Sequence, residues 1–402
     1  MNFDLSDELR LLRDSVERLM SDWYTFDHRR SYQEANAGYS EAMWARYAEL
    51  GLLALPFAEK HGGFGGGPIE IMTVMEAFGK ALILDPYFAT VVLAGGVLRH
   101  GASEEQKVEI IPQIADGRMK LAFAYAEPQS RYDLFNVETK AIRDADGWTL
   151  NGAKGLVLHG DAADKIVVTA RTAGDTRDTD GIGLFLVDAK APGLACRGYA
   201  TQDGLRAAEI TFQNVRVRPA QVIGDPAGSF PIISRVADEA VAALCAEAVG
   251  CFGKMQTITV DYLKTREQFG RKIGTFQVLQ HGAVDILVES EQSRSMAIYA
   301  AMMASECDAT ERERAVSAAK IQIGRSAKVI GHKSIQLHGA IGMTMQYSIG
   351  HYFKRVAMID TMFGDADHHL RRLAALGGLI DRQSIELESS TSGKADHAAI
   401  DR

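Results

Sequence analysis

Two long apolar segments joined by a short basic turn constrain the fold of this 402-residue chain more than any other feature. Residues 237–264 are apolar on all sides of a helix, and residues 283–303 repeat apolar residues at helical spacing. The turn between them is far more polar than its flanks and contains glycine. Because long helices with short joins pack side by side, this part of the chain is expected to form a helical bundle.

The basic turn also indicates a binding function. Arg266, Arg271 and Lys272 place three cations in one turn region, and guanidinium groups bind phosphate oxygens in a fixed fork. Phe276 and Gln277 open the next helix, where an amide is suited to reading an adenine edge. The pattern fits a diphosphate and adenine site, and it equally fits a helix–helix corner with a solvated basic face. Spacing alone does not separate these two interpretations.

A change of pattern divides the chain into three folded units and a tail. Residues 1–120 show helical periodicity and helix-capping residues, and residues 121–226 hold short β-branched or alternating runs. Residues 227–383 return to long helical segments, the last of which is expected to break near Gly364. Residues 384–402 are polar and small, which predicts a disordered tail. The predicted fold is mainly α with a central β unit: an N-terminal helical domain, an antiparallel β-barrel or sandwich, and a C-terminal four-helix bundle.

Turn residues mark the ends of the predicted strands. Asp146-Gly147 and Asn151-Gly152 are both typical of tight turns between strands, and residues 171–180 form a polar hairpin tip. A glycine-rich GxGxxG turn between a strand and a helix is missing from the sequence, which argues against a nucleotide-binding α/β fold.

Composition excludes several classes of partner. A net charge of −8 argues against nucleic acid as the main partner, since neutralising phosphates needs a basic face. The sequence has no apolar run of membrane-spanning length and no signal-peptide pattern at its start, so we expect a cytoplasmic protein without a membrane partner. The four cysteines lack disulfide or metal-ligand spacing, and no metal site is predicted.

Several motifs together resemble the flavin-dependent acyl-CoA dehydrogenase family over nearly the whole chain. Arg266-x-x-Phe269-Gly270 with Gln277 is similar to that family's diphosphate and adenine contacts. The run from Gln336 through Gly339 and Ala340 to Gly342 resembles its QxxGGxG element, with Ala340 replacing one glycine. Two shorter runs resemble the family's TEP and NGxK motifs; they are Ala126-Glu127-Pro128 and Asn151-Gly152-Ala153-Lys154.

The resemblance implies an FAD-dependent α,β-dehydrogenation of an acyl-CoA thioester. In this family a carboxylate removes the α-proton while the β-hydrogen leaves as hydride to the flavin, and an electron-transferring flavoprotein accepts the electrons. The family forms tetramers in which one subunit's bundle contacts the diphosphate and adenine of its neighbour's FAD. The residues that the resemblance assigns to these contacts are Arg266, Phe269, Gln277, Gln336, Gly339 and Ala340.

The chain departs from the family where the flavin ring and the catalytic base would lie. The usual glutamate position falls on Gly364, and a second known base position falls on Ala240, one residue after Glu239. Hydroxyl or aromatic side chains that would contact the flavin ring are also replaced. These replacements are Ala126, Leu156, Leu158 and Ala366.

A subunit of this family holds its own flavin and also contacts the FAD of a neighbour. The departures affect only the first of these two roles. The residues offered to a neighbour's FAD that are intact are Arg266, Phe269, Gln277, Gln336 and Gly339, whereas residues for the chain's own flavin are depleted. This asymmetry resembles the small, non-catalytic subunit of heterotetrameric acyl-CoA dehydrogenases that act on dicarboxyl or steroid side-chain thioesters. The leading hypothesis is therefore a subunit that completes the FAD site of a different, catalytic acyl-CoA dehydrogenase subunit.

Two alternatives stay open. A self-sufficient homotetramer would need a relocated base, for which Asp365 and Glu247 are the candidates. The competing interpretation of Asp365 is a helix cap after Gly364, and that of Glu247 is a satisfied acid between packed helices. The second alternative is a structural subunit that binds no flavin at all.

Overall fold

The computed structural model describes residues 6–377, so the predicted tail at residues 384–402 lies outside the described residues. The first unit is helical, as predicted. Its six α-helices are α1 (Asp7–Trp23), α2 (Phe26–Glu34), α3 (Glu41–Glu49), α4 (Pro68–Ala81), α5 (Gly95–Gly101) and α6 (Glu104–Ala115). A buried π-helix, Phe88–Ala94, runs directly into α5. Ser103 and Gln106 form a capping box at the start of α6, because each side chain accepts a hydrogen bond from the other's backbone N–H.

The middle unit is a single eight-stranded sheet. Its strands are β1 (Leu121–Ala124), β2 (Lys140–Asp144), β3 (Gly147–Leu158), β4 (Lys165–Arg171), β5 (Ile182–Asp188), β6 (Leu194–Ala200), β7 (Arg206–Val217) and β8 (Val222–Ile223). Their spatial order is β6-β7-β3-β2-β4-β5-β8, with β1 paired to β4 in parallel. β2 also meets β4 in parallel, at the single pair Lys140 and Arg171, whereas the remaining pairings are antiparallel. Alternate residues of the sheet form a separate apolar core.

One turn prediction in this unit is wrong. Asn151-Gly152 lies inside β3, whose pairing with β7 shifts in register between Leu150 and Gly152. The Asn151 side chain bridges across to Asn214, accepting from its backbone N–H at 2.8 Å and donating to its Oδ1 at 3.2 Å. An Asn-Gly pair therefore marks a β-bulge here and not a chain reversal. Asp146-Gly147 does lie at the β2–β3 reversal, as predicted.

The C-terminal unit is helical and contains the predicted long segments. Its helices are α7 (Phe230–Thr265), α8 (Gln277–Met303), α9 (Ala309–His338), α10 (Ile349–Thr361) and α11 (Ala366–Ala375). The break between α10 and α11 includes Gly364, in agreement with the prediction. The predicted fold class is confirmed: two helical units flank a β unit. Within residues 6–377, none of the helices is both long and apolar enough to span a membrane.

The N-terminal unit packs tightly on the bundle where α4 crosses α7. A Cβ on Gly79 would lie 2.0 Å from the Glu247 carbonyl oxygen, and a Cβ on Gly250 would lie 2.0 Å from the Glu76 carbonyl oxygen. Any side chain at either position would therefore force the helices apart. Glycine at these two positions allows the backbones to touch, and this contact fixes the position of Glu247 between the two units.

A buried cluster of charges joins all three units. Arg355 in α10 donates from Nε and Nη2 to both oxygens of Glu247 in α7, at 2.5 and 2.7 Å. Its Nη1 donates to Asp203, in the β6–β7 connection, at 2.8 Å. Arg29 in α2 donates to the carbonyl oxygens of Asp203 and Leu82, at 2.7 and 2.8 Å. Each unit thus contributes to one hydrogen-bonded cluster that is shielded from water.

Replacing Arg355 by methionine is predicted to lower the free energy of unfolding by about 3–5 kcal/mol, because two buried carboxylates would lose their partner. Urea unfolding followed by circular dichroism measures the change. Lys354→Met is the matched control, since the Lys354 ammonium contacts the Met345 sulfur, at 3.4 Å, and no carboxylate within residues 6–377. Equal losses from the two substitutions would contradict a joining role for the cluster.

Candidate functional site

The predicted dinucleotide-binding turn is an exposed β-hairpin at the end of α7. Its strands are β9 (Glu267–Gln268) and β10 (Arg271–Lys272), and both central residues, Phe269 and Gly270, have positive φ. Phe269 is 91% exposed, and the Arg271 guanidinium lies 4.1 Å from the centre of the Phe276 ring. A two-residue turn of this kind projects its side chains away from the bundle.

The other predicted contact residues lie on the same end of the bundle. Gln277 is exposed at the start of α8, and Gln336 is exposed at the end of α9. A Cβ on Gly282 would lie 3.3 Å from the Leu337 side chain, so the start of α8 packs beside the end of α9. All of these side chains therefore face outward, where a ligand held by another molecule can reach them.

Gly339 and Ala340 follow directly after α9 in a short 3₁₀ turn, Gly339–Met343. Gly339 has φ 64° and ψ −143°, a combination that favours glycine strongly. Both residues are exposed, so backbone amides are presented to solvent at this corner. Contact with the FAD of a neighbouring subunit remains the predicted role of these two residues.

The two elements that the resemblance places beside the chain's own flavin, at Ala126 and at Gly364, contact each other through the residues that precede these positions. Tyr125, at the end of β1, stacks on Phe363, in the α10–α11 corner, with ring centres 4.9 Å apart and planes 18° apart. A third ring inserted between two others needs about 7 Å, twice the roughly 3.5 Å contact distance of carbon atoms. The two rings therefore leave no room for an isoalloxazine between them. Leu156 and Leu158, which follow the NGxK-like motif, offer no hydrogen-bonding side chain either.

The position of the family's usual base cannot accept a side chain in this conformation. Gly364 has φ +109°, and a Cβ there would lie 2.4 Å from Cδ2 of His368. The buried ammonium of Lys320 binds the backbone of this corner. It donates to the carbonyl oxygens of Ile359, Asp360 and Gly364 at 2.6, 2.9 and 3.0 Å. Sequence reasoning missed this role of Lys320, because its acceptors lie 39 to 44 residues further along the chain.

Asp365 caps helix α11. Its Oδ1 accepts a hydrogen bond from the backbone N–H of His368 at 2.8 Å. This is the capping geometry that competed with the base role in the sequence interpretation. His369, in the first turn of α11, has its Nε2 within hydrogen-bonding distance of the Phe363 carbonyl oxygen, at 3.0 Å, and so tightens the same corner.

Glu247 is only 3% exposed and has both oxygens engaged by Arg355. A general base must reach the proton that it removes, and a carboxylate clamped on both oxygens is poorly placed to do so. The geometry therefore favours the packed, satisfied acid over the catalytic base. Sequence spacing did not reveal this, because Arg355 lies 108 residues further along the chain.

Glu239, next to the second base position, is another neutralised acid. It bonds to Arg99 at 2.6 Å and to His100 at 2.8 Å, with Arg235 at 3.4 Å. Burial raises the pKa of this carboxyl, but the His100 hydrogen bond and the charges of Arg99, His100 and Arg235 outweigh burial and lower the pKa to about 2. Glu239 is thus held ionised and does not take up a proton near neutral pH.

The two short motifs meet in a buried ion pair. Lys154 Nζ donates to Glu127 Oε1 at 2.7 Å and to Thr169 Oγ1 at 2.8 Å. Glu127 also accepts from the backbone N–H groups of Glu138 and Thr139. These motif residues fix the loop after β1, where Ala126 stands in place of the family's threonine. Their role in this chain is to position backbone.

Comparison with known proteins identifies matches along the whole described chain. Residues 6–118 match "Acyl-CoA dehydrogenase, N-terminal domain", residues 122–215 match the corresponding middle domain, and residues 230–377 match the C-terminal domain. The protein "Probable acyl-CoA dehydrogenase YngJ" of Bacillus subtilis (strain 168) is 28% identical over 378 residues, covering 93% of this chain and 98% of that protein.

Two further relatives also match over most of this chain. "Long-chain specific acyl-CoA dehydrogenase, mitochondrial" of Sus scrofa is 27% identical over 376 residues, covering 92% of this chain and 86% of that protein. The solved structure of a variant of the "Tcur3481-Tcur3483 steroid ACAD" superimposes with a TM-score of 0.83 at 30% identity, covering 92% of this chain and 97% of that chain.

Glu239→Gln is predicted to lower the free energy of unfolding at pH 7 by about 3 kcal/mol, from a pKa lowered by roughly 2.5 units. Because the lowered pKa stabilises the fold only while the carboxyl is ionised, the difference from the unmodified chain should shrink as pH falls from about 5 towards 2. Urea midpoints across this pH range measure the effect. Glu109→Gln, at an exposed carboxylate, is the control. A difference that does not change with pH would contradict the assignment.

Proposed function

The chain belongs to the acyl-CoA dehydrogenase family, whose cofactor is FAD, and we propose that it is the non-catalytic subunit of a hetero-oligomeric enzyme of this family. The cofactor prediction and the family prediction are thus confirmed. In the proposed complex a catalytic partner supplies the base and the flavin slot for α,β-dehydrogenation of an acyl-CoA thioester. This chain supplies the surface that holds the diphosphate and adenine of the partner's FAD.

The observation that carries the proposal is the contrast between two surfaces of the same chain. The basic hairpin with Arg266 and Phe269 is exposed, and Gln277 and Gln336, which are also predicted to contact the dinucleotide, are exposed at the neighbouring helix ends. Beside the positions that the resemblance assigns to the chain's own flavin and base, Tyr125 stacks on Phe363, and a Cβ at Gly364 would lie 2.4 Å from the His368 ring. A self-sufficient enzyme needs a flavin and base site of its own as much as the surface that contacts a neighbour's FAD.

Exposed apolar residues of α8 and of the turn Gly339–Met343 support binding of a partner subunit at this end of the bundle. Helix α8 exposes Val278 by 74%, Val284 by 54% and Val288 by 47%, and the adjacent 3₁₀ turn exposes Met343 by 80%. Exposed apolar residues that cluster on one helix mark a surface that associates with another protein. The same face carries the predicted cofactor contacts, so one interface would serve assembly and FAD binding together.

The relatives suggest the class of complex. One solved relative at 30% identity is named as a pair of proteins, Tcur3481 and Tcur3483, and as a steroid ACAD. We therefore favour a heterotetramer acting on a steroid side-chain or dicarboxyl thioester in the cytoplasm, with an electron-transferring flavoprotein as acceptor. The family resemblance is the support for that acceptor.

Co-expression with a catalytic acyl-CoA dehydrogenase partner is predicted to give a yellow complex, whereas this chain purified alone should be colourless. The measurement is flavin absorbance near 450 nm per mole of protein, on the order of one FAD per pair of chains. A yellow chain that oxidises acyl-CoA by itself would support a homotetramer using Asp365. A colourless complex would support a structural subunit without flavin.

Arg266→Ala in the complex is predicted to lower FAD affinity by roughly tenfold to a hundredfold, because a charge-assisted hydrogen bond contributes about 1.5–3 kcal/mol. The assembly should stay intact by size-exclusion chromatography. Arg325→Ala, at an exposed arginine on α9, is the matched control and should leave the flavin unchanged. Unchanged flavin affinity in Arg266→Ala would remove the diphosphate role of this residue.

A further inference from the structure

Three aromatic rings from different helices pack together beside the predicted FAD-contacting surface. They belong to Tyr262 in the last turn of α7, His338 at the end of α9 and Tyr347 just before α10. The His338 ring stacks on Tyr262 with centres 4.6 Å apart and planes 29° apart, and its centre lies 5.2 Å from that of Tyr347. The two tyrosine rings meet edge to face at 6.3 Å. These separations are within the range in which aromatic rings attract one another, so the three form one ring cluster.

The ring cluster lies next to both parts of the predicted FAD-contacting surface. Arg266 leads into the basic hairpin, and its backbone N–H donates to the Tyr262 carbonyl oxygen at 2.9 Å. Gly339 directly follows His338 and begins the exposed turn Gly339–Met343. A displacement of the Tyr262 ring would therefore move the hairpin, and a displacement of the His338 ring would move the turn.

Side-chain packing, and not hydrogen bonding, connects the hairpin to the turn. Within residues 6–377, no hydrogen bond joins the hairpin strands Glu267–Gln268 and Arg271–Lys272 to the turn Gly339–Met343. The stacked rings of Tyr262 and His338 supply a direct contact between the segments that carry them. The ring cluster is thus suited to fixing the distance between these two parts of the surface.

His338 is the most buried ring of the cluster. It is 3% exposed, whereas both tyrosines are half-buried. Its Nδ1 donates to the Ser334 carbonyl oxygen at 2.7 Å, which orients the ring. Burial lowers the pKa of His338, so the ring is neutral near pH 7 and holds its neighbours by packing and not by charge. A phenylalanine ring can therefore take its place, whereas alanine would leave a gap between the two tyrosines.

We propose that His338 is a positioning residue for the FAD of the partner subunit, because its ring fixes the distance between the basic hairpin and the turn Gly339–Met343. The inference rests on the proposed function and names what makes its binding surface rigid before FAD arrives. A surface whose parts already have the correct spacing binds more tightly, since less conformational freedom is lost on binding. His338 acts through its neighbours, because its own side chain is buried while Gly339 and Ala340 are exposed.

Hydrogen–deuterium exchange of the full chain alone tests the link between the ring cluster and the hairpin. In His338→Ala the backbone amides of residues 266–276 should exchange at least about threefold faster, because the hairpin loses its support. His338→Phe should exchange like the unmodified chain. His332→Ala is the matched control, at an exposed histidine of the same helix whose ring packs on Phe353. An equal increase over the whole chain, or no increase in the hairpin, would overturn the inference.

The FAD affinity of the complex, measured by titrating FAD into the flavin-depleted complex, tests the consequence for the cofactor. His338→Ala should weaken FAD binding by about tenfold, whereas His338→Phe and His332→Ala should stay within about twofold of the unmodified complex. Size-exclusion chromatography shows that each assembly is intact. Unchanged FAD affinity in His338→Ala, or an equal loss in His338→Phe, would overturn the positioning role.

A second variant keeps the test decisive if the His338→Ala chain does not fold. Tyr347→Leu removes a half-buried ring from the other side of the ring cluster. It should speed hairpin exchange and weaken FAD binding in the same direction, with the fold checked by circular dichroism. A folded Tyr347→Leu chain with unchanged hairpin exchange would overturn the inference.

Failure of this inference is distinguishable from failure of the proposed function. The FAD content of the unmodified complex reports the proposed function, whereas the comparison of variants reports the ring cluster. A yellow complex whose FAD affinity is unchanged in His338→Ala would keep the proposed function and overturn the positioning role. A colourless unmodified complex would overturn both the proposed function and the cofactor role of His338, whatever the exchange data show about the hairpin.

Discussion

The buried guanidinium of Arg355 is the interaction on which the arrangement of the three units depends. It holds Glu247 of the bundle and Asp203 of the β unit, while Arg29 of the N-terminal unit reaches the backbone of Asp203. Burial alone would lower the pKa of Arg355, but the two carboxylates outweigh burial and raise it. The charge is therefore kept, and the cost of removing it from water is offset only while all partners stay in place.

Through Arg355 this cluster connects α10, the helix that ends before the corner at Gly364, to α7 and to the β unit. Lys320 binds the backbone carbonyl groups of that corner, and Phe363 in the same corner stacks on Tyr125. Ala366, one of the residues that replace flavin-contacting side chains of the family, is buried at the same corner.

Local patterns in the sequence were enough to predict the three units and the break at Gly364. Local patterns also selected Arg266 and Gln277 as part of a candidate binding surface, and the family resemblance added Phe269. These residues lie close together in sequence and need no distant partner. The Tyr125–Phe363 contact could not be predicted, because it forms only through the packing of the β unit on the bundle. The ion pair of Glu247 and the bulge at Asn151-Gly152 were missed for the same reason, since the deciding partners are remote in sequence.

In the proposed complex this chain contributes to a flavin site that belongs to another subunit and has none of its own. Counting the flavins in a density map of the purified complex tests this division of roles most directly. We expect FAD in every catalytic subunit, with the basic hairpin of this chain against its diphosphate, and stacked Tyr125 and Phe363 rings in place of a second flavin. A flavin ring seated between the β unit and the bundle of this chain would contradict the proposal.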